Sequence, residues 1–280
     1  MNLIFSFDPE MEECPVCGSA SIHRHKKDYK NISISKCKTC RIEFMNPQYT
    51  DQYLESFYSE YQKMDSKKTR YGDKTKPREL VHEYNLKQIE GHVDKNGFLS
   101  VGCGNGLDVK VALQRGWQAE GFELDHDHTV TLSKTLGTSI HSGDFASLEL
   151  EKKYSCVYLN HVLEHPKNPG SYLKKISELL TPGGILYIAC PNIDSVSNRI
   201  KTVLEKVGLK KNHGKHYDTW HHLIYFNPRK LKKLLESQYG YEVLYMGNDK
   251  KAKIDTTSVE HSLLDDVAYK SSFRMIAKKL

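Results

Sequence analysis

No stretch of this 280-residue chain approaches the ~18 consecutive apolar residues that a membrane span requires. The composition, 38% hydrophobic and 27% charged with a mean hydropathy of −0.61, excludes a fibre, a disordered tail or a membrane channel. Internal repeats and low-complexity tracts are also missing. The apolar opening, Met1 to Phe7, has no basic segment before it and runs into Asp8, Glu10, Glu12 and Glu13, so it reads as neither a signal peptide nor a transit peptide. Neither sign of charge dominates: 41 Lys and Arg against 35 Asp and Glu leave +6, which suits an anionic ligand as well as a nucleic acid. At roughly 150 residues per domain the length allows about two units, one sizeable core and a small annex that needs its own reason to be stable.

Seven cysteines are an odd number in a chain too long to need a disulfide framework, which points to a reducing, cytoplasmic setting. Four of them form Cys14-Pro-Val-Cys17 and Cys37-Lys-Thr-Cys40, a spacing suited to a four-thiolate zinc site. Each Cys-x-x-Cys turn can direct two thiolates at one ion, and two turns complete a tetrahedron with no open position. The ion is therefore expected to be structural Zn2+, and residues 1–50 are read as a zinc ribbon with short strands at Ile32-Ser-Ile-Ser35 and Ile42-Glu-Phe44. The alternatives are two unrelated thiol pairs, or competition from His23 and His25 as ligands.

Residues 51–77 read as a helical connector with a basic stretch of Lys67, Lys68, Arg70, Lys74 and Lys76 that runs into Arg78. A helix over about 78–92 is predicted to turn Leu80, Val81, Tyr84, Leu86 and Ile89 toward one face. Beyond it, apolar strands at 97–101, 118–123, 154–159 and 184–190 alternate with helices at 107–115, 127–136 and 171–180, the rhythm of right-handed βαβ crossovers. Residues 78–280 are thus expected to form an α/β, doubly wound, mostly parallel sheet, finished by a helix at 228–237 and strands at 241–246 and 272–277. No element is assigned to 247–270.

Leu99-Ser-Val-Gly-Cys-Gly-Asn-Gly106 follows a predicted strand and opens a helix, so its glycines allow a tight turn with helix N-terminal amides facing a ligand. Glu123 ends the next apolar strand, where a carboxylate can accept both hydroxyls of a ribose. Leu107 stands near where a dinucleotide fingerprint would place its last glycine, which favours a nucleoside without a pyrophosphate.

At these residues the chain resembles the class I S-adenosylmethionine-dependent methyltransferases over roughly 78–280. Gly-Phe-Glu-Leu-Asp125, Gly143-Asp144-Phe145, Tyr158-Leu-Asn-His-Val-Leu-Glu-His165 and Leu180-Thr-Pro-Gly-Gly-Ile-Leu-Tyr-Ile-Ala-Cys-Pro-Asn192 are similar to that family's later motifs, in order. The resemblance implies a Rossmann-like, seven-stranded sheet and S-adenosylmethionine as cofactor. It places Gly102, Cys103, Gly104, Asn105 and Gly106 along the methionine part and Glu123 on the ribose. Leu124 and Phe145 would flank adenine, Asp144 would accept from its exocyclic amine, and Asn160 and His161 would lie near the methyl group. Ser100 departs from the family, which usually has Asp there.

The ribbon, together with Phe44-Met-Asn-Pro-Gln48, is similar to the prefix of a bacterial-type methyltransferase group associated with polysaccharide and secondary-metabolite synthesis. His221-His-Leu-Ile-Tyr-Phe226, in an acceptor-site insertion near 193–227, resembles the His-Glu-His-x-x-Tyr-Phe segment of sugar C-methyltransferases and implies His222 as a base. Here His221 replaces that family's Glu, and Trp220 its first His. His161 and His165, after the fourth strand of the sheet, are further catalytic candidates, with packing as the alternative for His165.

From Asn198 onward seventeen Lys and Arg face nine Asp and Glu, which suits an anionic acceptor such as a nucleotide-linked sugar or phosphorylated glycan. The expected function is O- or C-methylation of a small-molecule acceptor, with a nucleic acid unfavoured. An RNA methyltransferase gripping RNA by its ribbon and a non-catalytic binding protein with a degenerate domain are the alternatives. Oligomeric state is not legible.

Overall fold

A computed structural model describes residues 5–66, 75–209, 214–249 and 269–280. Three antiparallel strands, β1 (Ile22–Lys27), β2 (Ser33–Cys37) and β3 (Glu43–Met45), precede helices α1 (Asp51–Ser66) and α2 (Thr75–Ile89). An alternating region follows, with β4 (Gly97–Val101), α3 (Leu107–Gln114), β5 (Gln118–Phe122), α4 (His126–Leu136), β6 (Ile140–His141), β7 (Tyr154–Asn160), α5 (Pro169–Leu179) and β8 (Leu180–Pro191). Helix α6 (Val196–Lys206), a 3-10 turn at Lys215–Tyr217, β9 (Ile224–Tyr225), α7 (Pro228–Gln238), β10 (Tyr241–Asn248) and β11 (Ser272–Lys279) complete it.

The expected doubly wound sheet is present, seven strands in the order β10-β11-β8-β7-β4-β5-β6. Strands β4 to β8 pair in parallel, and β11 runs antiparallel to both β8 and β10. Every residue of β4 is buried, as is each of β7 except Asn160, as strands covered on both faces require. Helix starts follow local chemistry: Asp125 caps α4, Asn168 caps α5, Ser195 caps α6 and Asn227 caps α7, and Pro169 and Pro228 stand where a missing N–H costs nothing.

Three features depart from the sequence reading. In α2 the buried positions are His82, Asn85, Leu86 and Ile89, while Leu80, Val81 and Tyr84 are only half-buried. The reason is polar: His82 Nδ1 lies 3.1 Å from Tyr158 Oη, and Asn85 Nδ2 donates to the same oxygen at 3.1 Å. The short strands β6 and β9 and helix α6 were not anticipated. Lys67, Lys68, Arg70, Lys74 and most of 247–270 lie outside the described residues.

Strand β9 shows how the N-terminal unit docks. It comes from the insertion after β8, yet pairs with β3, with Glu43 opposite Tyr225 and Phe44 opposite Ile224, completing a four-stranded sheet β1-β2-β3-β9. The buried residues of this unit, among them Ile34, Phe44, Tyr49 and Phe57, are continuous with Leu173, Ile176 and Phe226 on one face of the large sheet. Tyr217 Oη donates to Glu43 Oε2 at 2.7 Å, Tyr49 Oη donates to the Thr219 carbonyl at 2.7 Å, and Thr219 Oγ1 donates to Asp28. The insertion is thereby clamped to the annex.

Candidate active site

Strand order reverses between β4 and β7, and the crevice outside the carboxyl ends at such a point is where open α/β sheets bind ligands. The β4 side carries the glycine loop. Gly102 has φ 68°, and a Cβ there would meet Val162 Cγ2 at 2.6 Å. Gly106 has φ 73°, and its Cβ would meet Leu136 Cδ1 at 2.8 Å, so both positions exclude a side chain. Gly104, with φ 54°, faces open space. Cys103 is buried, its thiol pushed up by burial, and offers the loop only backbone, whereas exposed Asn105 accepts from Leu107 N at 3.3 Å.

Glu123 closes the loop from the tip of β5. Its Oε2 accepts from Gly104 N at 2.8 Å and its Oε1 from Leu124 N at 2.8 Å. His128, in the first turn of α4, donates from Nε2 to the Gly104 carbonyl at 2.8 Å. Sequence reasoning missed His128; the signal available was its place three residues beyond the cap of a helix that opens right after Glu123.

Of the three residues expected at adenine, Leu124 and Asp144 are exposed and Phe145 is buried. Phe145 has no exposed surface, because its ring packs 5.1 Å from Phe122 and 5.0 Å from Tyr172. Leu124, 57% exposed, is the apolar surface at the strand tip. Asp144 turns toward its own chain, accepting from Ala146 N at 3.1 Å and Ser147 Oγ at 2.9 Å. Tyr172, also missed, lies near both carboxylates: burial, then the charges of Asp144 and Glu123, push its phenol to about 12.

Asn160 ends β7 half-buried, and His161 follows with φ 58°. His161 Nε2 donates to Asp249 Oδ2 at 3.2 Å, and its Nδ1 lies 3.5 Å from Glu164 Oε1. Burial alone would lower the His161 pKa, but hydrogen bonds and charge from both carboxylates outweigh it and raise it to about 10. Glu164, 1% exposed, would be raised by burial, yet the hydrogen bond from His161 and the neighbouring imidazoles hold it at about 2.

His165, His221 and His222 come together beside this pair. Ring centroids are 5.2 Å apart for His165 and His221, 5.1 Å for His165 and His222, and 4.3 Å for His221 and His222. Phe57 of α1 stacks on His221 at 5.2 Å. Burial, then the charge of His165, lowers His221 to about 4 and His222 to about 3. Burial and neighbouring charge thus favour the neutral form of His222 and the protonated form of His161.

In the annex, Cys14 Sγ is 3.7 Å from Cys40 Sγ and Cys17 Sγ is 3.7 Å from Cys37 Sγ. At a Zn–S distance of ~2.3 Å a tetrahedron has edges of about 3.8 Å, so the four thiols fit one zinc ion. His23 and His25 stand outside the group of four.

Residues 60–245 match the family model described as a methyltransferase domain. The chain belongs to that family. The fold of this methyltransferase-domain chain is that of the class I S-adenosylmethionine-dependent enzymes. Among curated relatives, the ubiquinone biosynthesis O-methyltransferase of Colwellia psychrerythraea is 23% identical over 145 residues, 48% of this chain and 58% of that protein. The protein of the same name from Marinobacter nauticus is 27% identical over 165 residues, 53% of this chain and 66% of that one. The matched stretch spans less than two thirds of each relative.

Several solved structures share the fold. A possible histamine N-methyltransferase from Thermotoga maritima has a TM-score of 0.57 at 14% identity, covering 80% of this chain and all of the other. The 1,6-didemethyltoxoflavin-N1-methyltransferase of Burkholderia thailandensis has a TM-score of 0.53 at 15% identity, covering 92% of this chain and 99% of the other. Among the described residues no helix is long and apolar enough to cross a membrane.

Proposed function

We propose that this methyltransferase-domain chain moves a methyl group from S-adenosylmethionine to an oxygen of a small molecule bound between Asn160 and His161 at the end of β7 and the His221–His222 turn. The observation that carries this reading is the loop between β4 and α3 closed by Glu123, with an open face at Gly104 and a carboxylate able to exchange its backbone partners for ribose hydroxyls. The cofactor brings the activated methyl group; the chain's own residues position what receives it. In-line transfer depends mainly on such positioning. Protonated His161, held by Glu164 and Asp249, presents a fixed positive edge at the end of β7. His222 is left out as the base, since its surroundings favour the neutral, weakly basic ring.

The relatives' shared name supports an oxygen nucleophile on a small acceptor. We leave out the anionic acceptor: in the C-terminal third, α6 and its C-cap turn Val196, Ile200, Val203 and Val207 outward as an apolar stripe beside the exposed Arg199 and Lys206. Zn2+ in the Cys14, Cys17, Cys37 and Cys40 cluster would hold the sheet whose strand β3 fixes the insertion through β9. Seven cysteines, four of them at metal-ligand spacing, support a reducing, cytoplasmic setting.

The experiment is to incubate the protein with a labelled methyl donor and fractionated metabolites, and to follow label by mass, alongside isothermal titration with S-adenosylmethionine. Binding heat and a labelled small product are expected. No heat from the intact protein would overturn the reading.

A further inference from the structure

His165 follows β7, whereas His221 and His222 belong to the insertion that pairs with the annex, so imidazoles from two distant stretches of the sequence meet at one place. We propose that they form a second metal site, separate from the four cysteines, that takes a divalent transition ion and turns its open coordination positions toward an oxygen of the acceptor. The acceptor part rests on the methyl-transfer reading; the metal part does not.

The geometry is close to that of a bound site. One ring nitrogen from each histidine lies within 4.8 Å of the others. Metal–nitrogen bonds of ~2.0–2.1 Å put tetrahedral ligand nitrogens about 3.4 Å apart, so small side-chain rotations close the set on an ion. Tyr58 Oη at 3.2 Å and the His221 carbonyl at 3.3 Å both lie beside His165 Nδ1. A proton on Nδ1 donated to that carbonyl frees Nε2 for a metal, the outer-shell arrangement that orients ligating histidines.

Glu164 gives an independent indication. Its Oε1 is buried, paired with His161 Nδ1 at 3.5 Å, and 3.9 Å from His165 Nε2. A carboxylate 1% exposed and aimed at the cluster supplies the negative charge that a dication among neutral rings requires.

The donor set selects the ion. Imidazoles suit zinc, iron, cobalt and nickel, whereas magnesium and calcium prefer all-oxygen sites and the thiolates of the annex make the softer one. Three protein nitrogens leave at least one position open, as in catalytic metal sites, and all three histidines keep some exposure to admit a ligand.

Cobalt(II) loading of the full chain tests this. Two equivalents are expected per chain. The first should show the intense sulfur-to-cobalt charge-transfer absorption of a four-thiolate site, the second only the weak bands of nitrogen and oxygen coordination. His165→Ala and His222→Gln, made separately, should each abolish the second equivalent and keep the first, whose thiolate spectrum reports that the variant is folded. A single equivalent in the unaltered protein at saturating cobalt would overturn the site, as would a second equivalent retained by both variants. Catechol, a bidentate oxygen probe, should shift the weak bands; no shift would overturn the acceptor-facing part. Failure of S-adenosylmethionine to bind would count against methyl transfer and leave the metal count untouched.

Discussion

Ser100 Oγ donates a 2.5 Å hydrogen bond to Asp108 Oδ2 beneath the glycine loop, where Ser100 is fully buried and Asp108 6% exposed. The carboxylate that the resemblance placed on the strand is supplied instead by the first turn of α3. Asp108 Oδ1 also accepts from Val109 N at 2.7 Å. Burial raises the Asp108 pKa, while the His82 charge and the Ser100 hydroxyl oppose that rise.

Ser100→Ala leaves a buried carboxylate oxygen short of a partner, and a loss of about 1–3 kcal/mol is expected. Ser100→Asp should cost more, because two carboxyls at hydrogen-bond distance in a buried site cannot both ionise. Urea denaturation measures both, and an Asp variant as stable as the parent at neutral pH would contradict the pairing.

Glu123→Ala should weaken S-adenosylmethionine binding by about 1.5–3 kcal/mol, the worth of hydrogen bonds to a charged group, or roughly tenfold to a hundredfold in Kd. The far-ultraviolet circular dichroism should be unchanged, since Glu123 stands at a strand tip outside the core. Titration calorimetry gives the comparison, and equal affinities would remove Glu123 from the ribose.

The sheet was legible because strands buried on both faces read as apolar runs and helix starts carry Asp, Asn, Ser and Pro. The glycine loop was legible for a different reason, since positive φ at Gly102 and Gly106 restricts the residue type. What sequence could not show was pairing across distance. Strand β9 is two residues long, and its partner β3 lies some 180 residues earlier. Likewise the inward face of α2 follows a hydrogen-bonding demand from Tyr158, which hydrophobic spacing does not register. His221 and His222 were visible as residues, but their meeting with His165 depends on the annex holding the insertion.

Removing zinc should unfold the annex and leave the large sheet standing. A structural zinc contributes on the order of 10 kcal/mol to the folding of so small a unit, whereas the seven-stranded sheet keeps on its other face a core around Phe98, Val109 and Tyr187 that the annex does not share. Cys37→Ser, or a chelator, should lower near-ultraviolet dichroism from Tyr49, Tyr53 and Trp220 and free β9 from β3. Hydrogen exchange at Ile224 and Tyr225 reports the release, and protection that survives zinc loss would show that the insertion holds itself.

The His161, Glu164 and Asp249 group sets a pH window. With its pKa raised from 6.5 to about 10, folded His161 binds its proton more tightly than the unfolded chain does. Its stabilisation is therefore complete below about 6.5 and lost as pH rises through about 10. Glu164, lowered from 4.5 to about 2, contributes fully above 4.5 and loses its contribution as pH falls toward 2. A plateau between these limbs is expected in denaturation midpoints, its alkaline limb shallow because 37% of the His161 side chain is exposed to screening solvent. Glu164→Gln should erase the acidic limb and pull the His161 imidazole, followed by NMR, down toward its ordinary range. An imidazole already titrating near 6.5 in the unaltered protein would refute the assignment of His161 as a standing cation at the end of β7.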